Sequence, residues 1–144
     1  MGGVDDGRDL EGRGFRAPTA CAAAGITQRQ LDYWARTRLV EPSAGSREGS
    51  RLYSVTDIVV LRCVARLLDT GVSLPRIRTA VKQLRDRGPH RLREVTLTGD
   101  EPAFRIALGP LVAEVTTSLS GLPGERVGNS PEGDGGDDPP PSTA

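Results

Sequence analysis

The run at residues 25–40, GITQRQLDYWARTRLV, restricts the fold more than any other stretch of the chain. A segment of small side chains, APTACAAA, leads into it, and Gly25-Ile26 interrupts that segment before a second helical pattern starts at Thr27. Thr27 and Gln30 form a T-x-x-Q capping box, in which the Thr hydroxyl accepts from the Gln30 amide and the Gln side chain reaches back. Leu31, Trp34 and Ala35 recur at helical spacing on one face, with Leu39 just beyond. Thr27, Gln28, Arg29, Tyr33 and Arg36 are left on or near the other. A short helix, a glycine turn, and a helix that opens with Gln, Arg and Tyr make the helix-turn-helix arrangement, whose second helix addresses the DNA major groove. The first helix is expected over 18–24, with Pro18 in its first turn.

Charge supports that reading only once it is resolved along the chain. The formal net charge of the 144 residues is zero. Residues 13–93, however, hold sixteen of the nineteen Lys+Arg and six of the nineteen Asp+Glu, a net of +10. The flanks carry −3 (residues 1–12) and −7 (residues 94–144). A basic middle between acidic ends is a phosphate-binding footprint, although solvated helix faces would give the same count.

After Val40 the sequence EPSAGSREGSRLYS reads as a flexible loop followed by a short strand at Arg51-Leu52-Tyr53. Paired with residues 39–41, that strand would form a hairpin with Arg47, Gly49 and Arg51 at its tip. Such a basic wing beside a helix-turn-helix would lay Arg47 and Arg51 along the backbone or in the minor groove. Ser54 and Asp57 make a second capping box, and the helix that follows is closed by Gly71. Ser73 is expected to cap a further helix with Leu74, Ile77, Ala80, Val81 and Leu84 on its buried stripe, ended by Gly88-Pro89. The fold class is therefore mainly α: a winged helix-turn-helix domain of four helices plus a small wing hairpin, with Trp34 and Phe15 as core anchors.

These elements resemble, in order and in wording, the MerR family of transcriptional regulators. The resemblance is carried by GITQRQLDYWARTRLV, by the wing exit SRLYSVTDI, and by LLDTGVSLPRIRTAV, and covers about residues 15–88. The Q-L-D-Y-W and R-L-Y wording is closest to an actinobacterial-type branch with a shortened C-terminal region. By position, the resemblance implies major-groove duty for Thr27, Gln28, Arg29 and Gln30, phosphate contact for Tyr33 and Arg36, and a wing role for Arg51 with Tyr53. Arg29 suits guanine and Gln28 adenine, while Arg36, Arg47, Arg51 and Tyr33 set register. Asp32 stands where the family usually has a basic residue before the Tyr; it is expected to pair with Arg29 or Arg36 and is left off the contact list. The resemblance further implies double-stranded DNA as the partner, a homodimer or head-to-tail oligomer on it, and RNA polymerase as a second contact.

Beyond residue 88 the family's long dimer helix is not found. A β pattern at 94–98, a turn at 99–102, an apolar run at 104–108 and a helix over 110–119 suggest a short β-hairpin/helix appendage. It is too small for its own core and must pack on the winged domain, a second chain or a partner. The expected organisation is a disordered N-terminus (1–14), the winged helix domain (15–88), a dimerisation or interaction element (89–121), and a disordered acidic Pro/Gly-rich tail (122–144). Cys21 and Cys63 have neither disulfide nor zinc spacing and are expected to be small buried hydrophobes. His90 is the only histidine. No metal or cofactor is expected. No apolar run reaches the length of a membrane span, and no signal peptide opens the chain, so a cytoplasmic, nucleoid-associated protein is expected. No catalytic constellation appears, so an enzyme is not expected. The alternative from another class is a protein-interaction module that binds a sigma factor or another regulator through residues 89–121.

Overall fold

The computed structural model describes residues 12–85, 87, 89–100 and 103–126. The remaining parts of the two stretches expected to be disordered, 1–11 and 127–144, lie outside the described residues. In chain order the elements are β1 Arg13–Gly14, α1 Ala17–Ala24, α2 Gln28–Arg36, β2 Ser46–Arg47, β3 Ser50–Arg51, α3 Val55–Thr70, α4 Leu74–Arg85, α5 Pro89–Leu92, β4 Thr96–Asp100, β5 Ala103–Ala107, α6 Leu108–Ser120 and β6 Glu125–Arg126. The architecture is mainly helical with small antiparallel strand pairs, as the sequence predicts for a helix-turn-helix domain with a wing.

Helix α3 is the axis. Its sequence VTDIVVLRCVARLLDT buries Val55, Ile58, Val59, Val60, Leu61, Cys63, Val64 and Leu67, an apolar belt too wide for one stripe, as befits a helix covered on several sides. Helices α1, α4 and α6 supply the cover. The small side chains of α1 bury Ala20, Ala23 and Ala24, so its backbone lies close to α3. Helix α4 contributes Ile77, Val81 and Leu84; Leu74, expected on the same buried stripe, is 37% exposed because it opens the helix beyond the edge of the core, and Ala80 is only partly buried. Phe15 and Trp34 are both core residues, at 0% and 4% exposure.

The C-terminal element belongs to this same core. Leu108, Leu111, Val112, Val115 and Leu119 of α6 are all buried, against α3 and α1. At about 1.5–3 kcal/mol per buried aliphatic side chain, docking this stripe contributes on the order of 10 kcal/mol, an upper bound because unfolded chains are already partly compact. Of the three places expected for this segment to pack, the structure shows the winged domain. The β-branched residues at 115–117 do not prevent the helix: Val115 and Thr116 are buried, and the Thr116 hydroxyl donates to the Val112 carbonyl at 2.9 Å. The preceding hairpin pairs Thr96 with Ala107 through Asp100 with Ala103. Ile106 faces the core, and Leu97 and Phe104 are half-buried against it.

Two boundaries move. Strand β1 pairs antiparallel with β6, Arg13 opposite Arg126 and Gly14 opposite Glu125; both strands fall in stretches expected to be disordered. Phe15, fully buried and exchanging two 2.8 Å backbone hydrogen bonds with Tyr53, holds residues 13–14 at the core, where 125–126 pair with them. Gly124 lies so close to the Phe15 ring that an added Cβ would sit 2.5 Å from Cε1. Composition alone does not reveal a pairing between residues more than a hundred positions apart.

The turn between α1 and α2 requires its glycine through its left-handed backbone. Gly25 has φ +74, and a Cβ there would lie 2.7 Å from Arg62 Nη1. Arg62 is expected from its spacing to face outward; instead its Nη1 donates to Ala24 O at 3.3 Å and its Nη2 pairs with Glu114 at 3.0 Å. This one side chain of α3 ties the end of α1 to α6.

Candidate nucleic-acid interface

The first turn of α2 is built by its cap. Thr27 Oγ1 accepts from Gln30 N at 3.0 Å and Gln30 Oε1 accepts from Thr27 N at 3.0 Å, so the capping box forms as the sequence predicts. With Leu31 and Trp34 buried, the rotation of the helix is set, and Thr27, Gln28, Arg29, Gln30, Tyr33 and Arg36 are all exposed. Tyr33 is 49% exposed, unusually open for a large aromatic side chain. The Arg36 guanidinium lies 5.8 Å from its ring centroid, a cation–π contact that holds both groups on one face of the helix.

Gln30 spends its carbonyl oxygen on the cap and keeps its amide donors. The expected pairing of Asp32 with Arg29 or Arg36 does not occur: Gln28 Nε2 donates to Asp32 Oδ1 at 3.3 Å. An i,i+4 amide–carboxylate contact therefore orients Gln28, which retains its carbonyl oxygen and a second N–H. The arginines are left out of that contact.

The wing is a hairpin, with a different pairing from the expected one. Residues 39–41 take no part in it; Ser46 pairs with Arg51 and Arg47 with Ser50. Its two-residue tip, Glu48-Gly49, has φ +55 and +84, the mirror-image turn whose twist suits a tight hairpin. Ala44 N donates to Leu52 O and Leu52 N to Gly45 O, both at 2.9 Å, and they extend the ladder to the core. Arg47 and Arg51 are exposed. Arg51 Nη2 also donates to Pro42 O at 2.8 Å, bracing the base of the wing. Glu48, an acid at the tip, is neutralised by Arg16 at 2.9 Å, which joins the tip to the chain just before α1.

Tyr53 does not belong with these residues. It is 6% exposed and forms the bridge to Phe15. Burial, reinforced by Asp57 nearby, pushes its hydroxyl up to about 12. Arg51 and Tyr53 do not share a surface, because the strand ends at Arg51 and both Leu52 and Tyr53 turn inward.

The root of the wing rests on a residue read from the sequence only as a cap. Asp57 is 3% exposed. Its Oδ2 accepts from Ser54 N at 2.9 Å, closing the second capping box, and from Ser43 N at 2.8 Å. Its Oδ1 accepts from Ser43 Oγ at 2.9 Å and lies 3.7 Å from Arg85 Nη2. One carboxylate thus joins the wing loop, the start of α3 and the end of α4. S-x-x-D signalled the cap; nothing local signalled Ser43 or Arg85. Cys63 is buried and its thiol is pushed up to about 12 by that burial. Cys21 is only half-buried, less than expected, and is raised by burial and then by Asp32.

The described residues thus present a capped helix with an open polar face and a basic hairpin braced to the same core. None of their helices is long and apolar enough to cross a membrane. The family described as MerR HTH family regulatory protein matches residues 15–84, the segment that runs from Phe15 almost to the end of α4. The chain is also similar to proteins of Mycobacterium bovis and of two Mycobacterium tuberculosis strains, each described as an uncharacterized HTH-type transcriptional regulator. The identity is 44% over 146 aligned positions. The match covers 85% of this chain and 65% of each relative, so the chain spans about two-thirds of their length.

Proposed function

Through residues 15–84 the chain belongs to the MerR HTH family of regulatory proteins, and from that premise we propose that it is a sequence-specific regulator of transcription that binds double-stranded DNA. The observation that carries the proposal is the exposure of Gln28 and Arg29 at the capped start of a helix whose opposite face, Leu31 and Trp34, is locked in the core. A helix held in this way can enter the major groove N-terminus first. Arg29 then reads a guanine and Gln28, oriented by Asp32, an adenine, with Thr27 and Gln30 beside them. Tyr33 and Arg36 meet the backbone, and Arg47 and Arg51 place the wing on the backbone or in the minor groove. Tyr53 supports the wing from beneath. Two copies bind repeated half-sites, as an inverted pair or head to tail, and recruit RNA polymerase from the promoter. This role sets the protein on the nucleoid in the cytoplasm.

Selection of bound duplexes from a random pool, followed by gel shifts on the selected site, tests the assignment. Arg29→Ala is expected to relax the preference at one base position by about 1–3 kcal/mol. Arg51→Ala is expected to weaken all sequences alike. The cations Arg36, Arg47 and Arg51 predict that log K falls with log salt with a slope of about −3 per subunit. A salt-independent affinity, or an Arg29→Ala variant with unaltered affinity and preference, would overturn the reading. Footprints on inverted and direct repeats separate the two modes of assembly.

A further inference from the structure

The C-terminal end of α2 carries a feature that the DNA-reading face does not use. Leu39 N donates to Trp34 O at 2.8 Å and Arg38 N to Ala35 O at 3.1 Å, the paired bonds that end a helix on a left-handed residue. That residue is Arg38, with φ +64. The corresponding left-handed positions after α1 and α3 are Gly25 and Gly71. Glycine adopts this conformation without the steric cost an L side chain meets. An arginine here is a cation placed at a conformational cost.

Beside it is a cleft of about 280 Å³ lined by Arg38, Leu39, Arg78, Val81, Lys82 and Arg85. Four of its six lining residues are cations, over a floor of Leu39 and Val81, both 3–4% exposed. The nearby acids do not cancel the four. Glu41 lies 3.6 Å from Arg38, whose side chain is nonetheless 84% exposed, and the buried Asp57 faces Arg85 at 3.7 Å. Arg78 donates from Nη1 to Thr37 O at 3.2 Å, and Arg85 donates to Glu41 O at 3.4 Å. Each guanidinium has five N–H donors, so backbone carbonyls occupy only part of either fork. Neither Arg78 nor Lys82 pairs with a carboxylate among the described residues.

We propose that Arg38, Arg78 and Lys82, with Arg85 behind them, form a phosphate-binding cleft between the C-terminal turn of α2 and helix α4. Arg offers a planar fork that matches phosphate oxygens, and Lys a mobile point charge. The apolar floor gives the non-phosphate part of a ligand a surface to cover. Because Arg78 also holds Thr37 O, phosphate in this cleft bears directly on the turn that ends the DNA-reading helix. Two sources supply the same chemistry: a backbone phosphate of bound DNA next to the site read by α2, or a free phosphorylated small molecule. Only the first source rests on the DNA-binding reading.

The test uses the full chain with Arg38→Gly and Lys82→Ala, alone and combined. Both side chains are exposed, and glycine suits the left-handed position, so thermal melting should show these variants at least as stable as the parent. Calorimetric titration with pyrophosphate and with adenosine monophosphate, in the absence of DNA, examines the free source. Saturable binding that weakens at least about tenfold in the double variant, as the loss of one charge-assisted hydrogen bond predicts, assigns the cleft to a small molecule. Gel shifts across salt examine the other source. A slope shallower by about 1 for each cation removed, with the base preference set by Arg29 retained, assigns the cleft to the DNA backbone. Parent-like titrations together with parent-like salt slopes overturn the proposal and leave the DNA-binding reading standing. Absence of DNA binding in the parent would remove that reading, and the calorimetric arm would then decide the cleft by itself.

Discussion

Asp57 is the residue whose removal should disturb the most with one change. Asp57→Ala takes the acceptor from Ser43 N, Ser43 Oγ and Ser54 N, and takes the carboxylate from Arg85, whose side chain is 30% exposed and so cannot be fully rehydrated where it stands. Hydrogen bonds to a charged acceptor contribute about 1.5–3 kcal/mol each, so losing those from Ser43 and Ser54 costs about 3–5 kcal/mol. The lost capping box, about 1 kcal/mol, is contained in that figure because Ser54 N is one of the orphaned donors. Native domains have about 5–15 kcal/mol in hand, so about a fifth or more of the stability is at stake. With a urea m-value of about 1–3 kcal/mol/M, a loss of 4 kcal/mol moves the midpoint down by roughly 2 M. Asp57→Asn is the finer probe, since it keeps the volume and one acceptor but turns an amide NH2 toward backbone N–H groups. It should cost about 2–3 kcal/mol. Because Ser43 roots the wing, the Asn variant should also lose DNA affinity under conditions where circular dichroism shows it folded. The assay is equilibrium urea unfolding followed by Trp34 fluorescence, with gel shifts in parallel. A loss below about 1 kcal/mol for Asp57→Ala would show that Ser43, Ser54 and Arg85 find other partners, and the hub argument would fail.

Three further outcomes follow from other parts of the molecule. Leu111→Ala, at a position 1% exposed on α6, should cost about 2–5 kcal/mol and lower a single unfolding transition; a separate early transition with the main one unmoved would mean that α6 is not part of the common core. Gly49→Val forces a β-branched residue to φ +84 at the wing tip; DNA affinity should fall while the melting temperature moves by only a few degrees, and unchanged affinity would remove the wing from the interface. Tyr53 has an ordinary value of 10.0, raised to about 12 by burial. The fold therefore prefers the neutral phenol, so this contribution to stability is complete below pH 10 and is lost as pH climbs toward 12; Tyr53→Phe should flatten the alkaline limb of a stability–pH curve, and an unchanged limb would refute the assignment.

The sequence by itself determined the main helices, two of their N-caps and the buried face of α2. Thr27-x-x-Gln30 and Ser54-x-x-Asp57 close as written, Gly25 and Gly71 end helices in the left-handed region, and Leu31 and Trp34 turn inward, because each depends on neighbours within about one turn. The loop and short strand of residues 43–53 signalled a wing, and the family wording added a likeness to transcriptional regulators. Tertiary structure alone decided the rest. Arg62 looks outward by periodicity but reaches Ala24 and Glu114, since a long side chain can bend to partners on other elements. Tyr53 sits two positions from an exposed arginine in sequence yet lies against Phe15, because the strand ends at Arg51 and the chain turns inward. Asp57 reads as a cap and serves as a three-way joint through Ser43 and Arg85. Phe15 holds residues 13–14 at the core, where 125–126 pair with them, and α6 finds its place on α3. In each case the deciding partner lies tens of residues away, and local patterning carries no information about which distant group arrives at a given face.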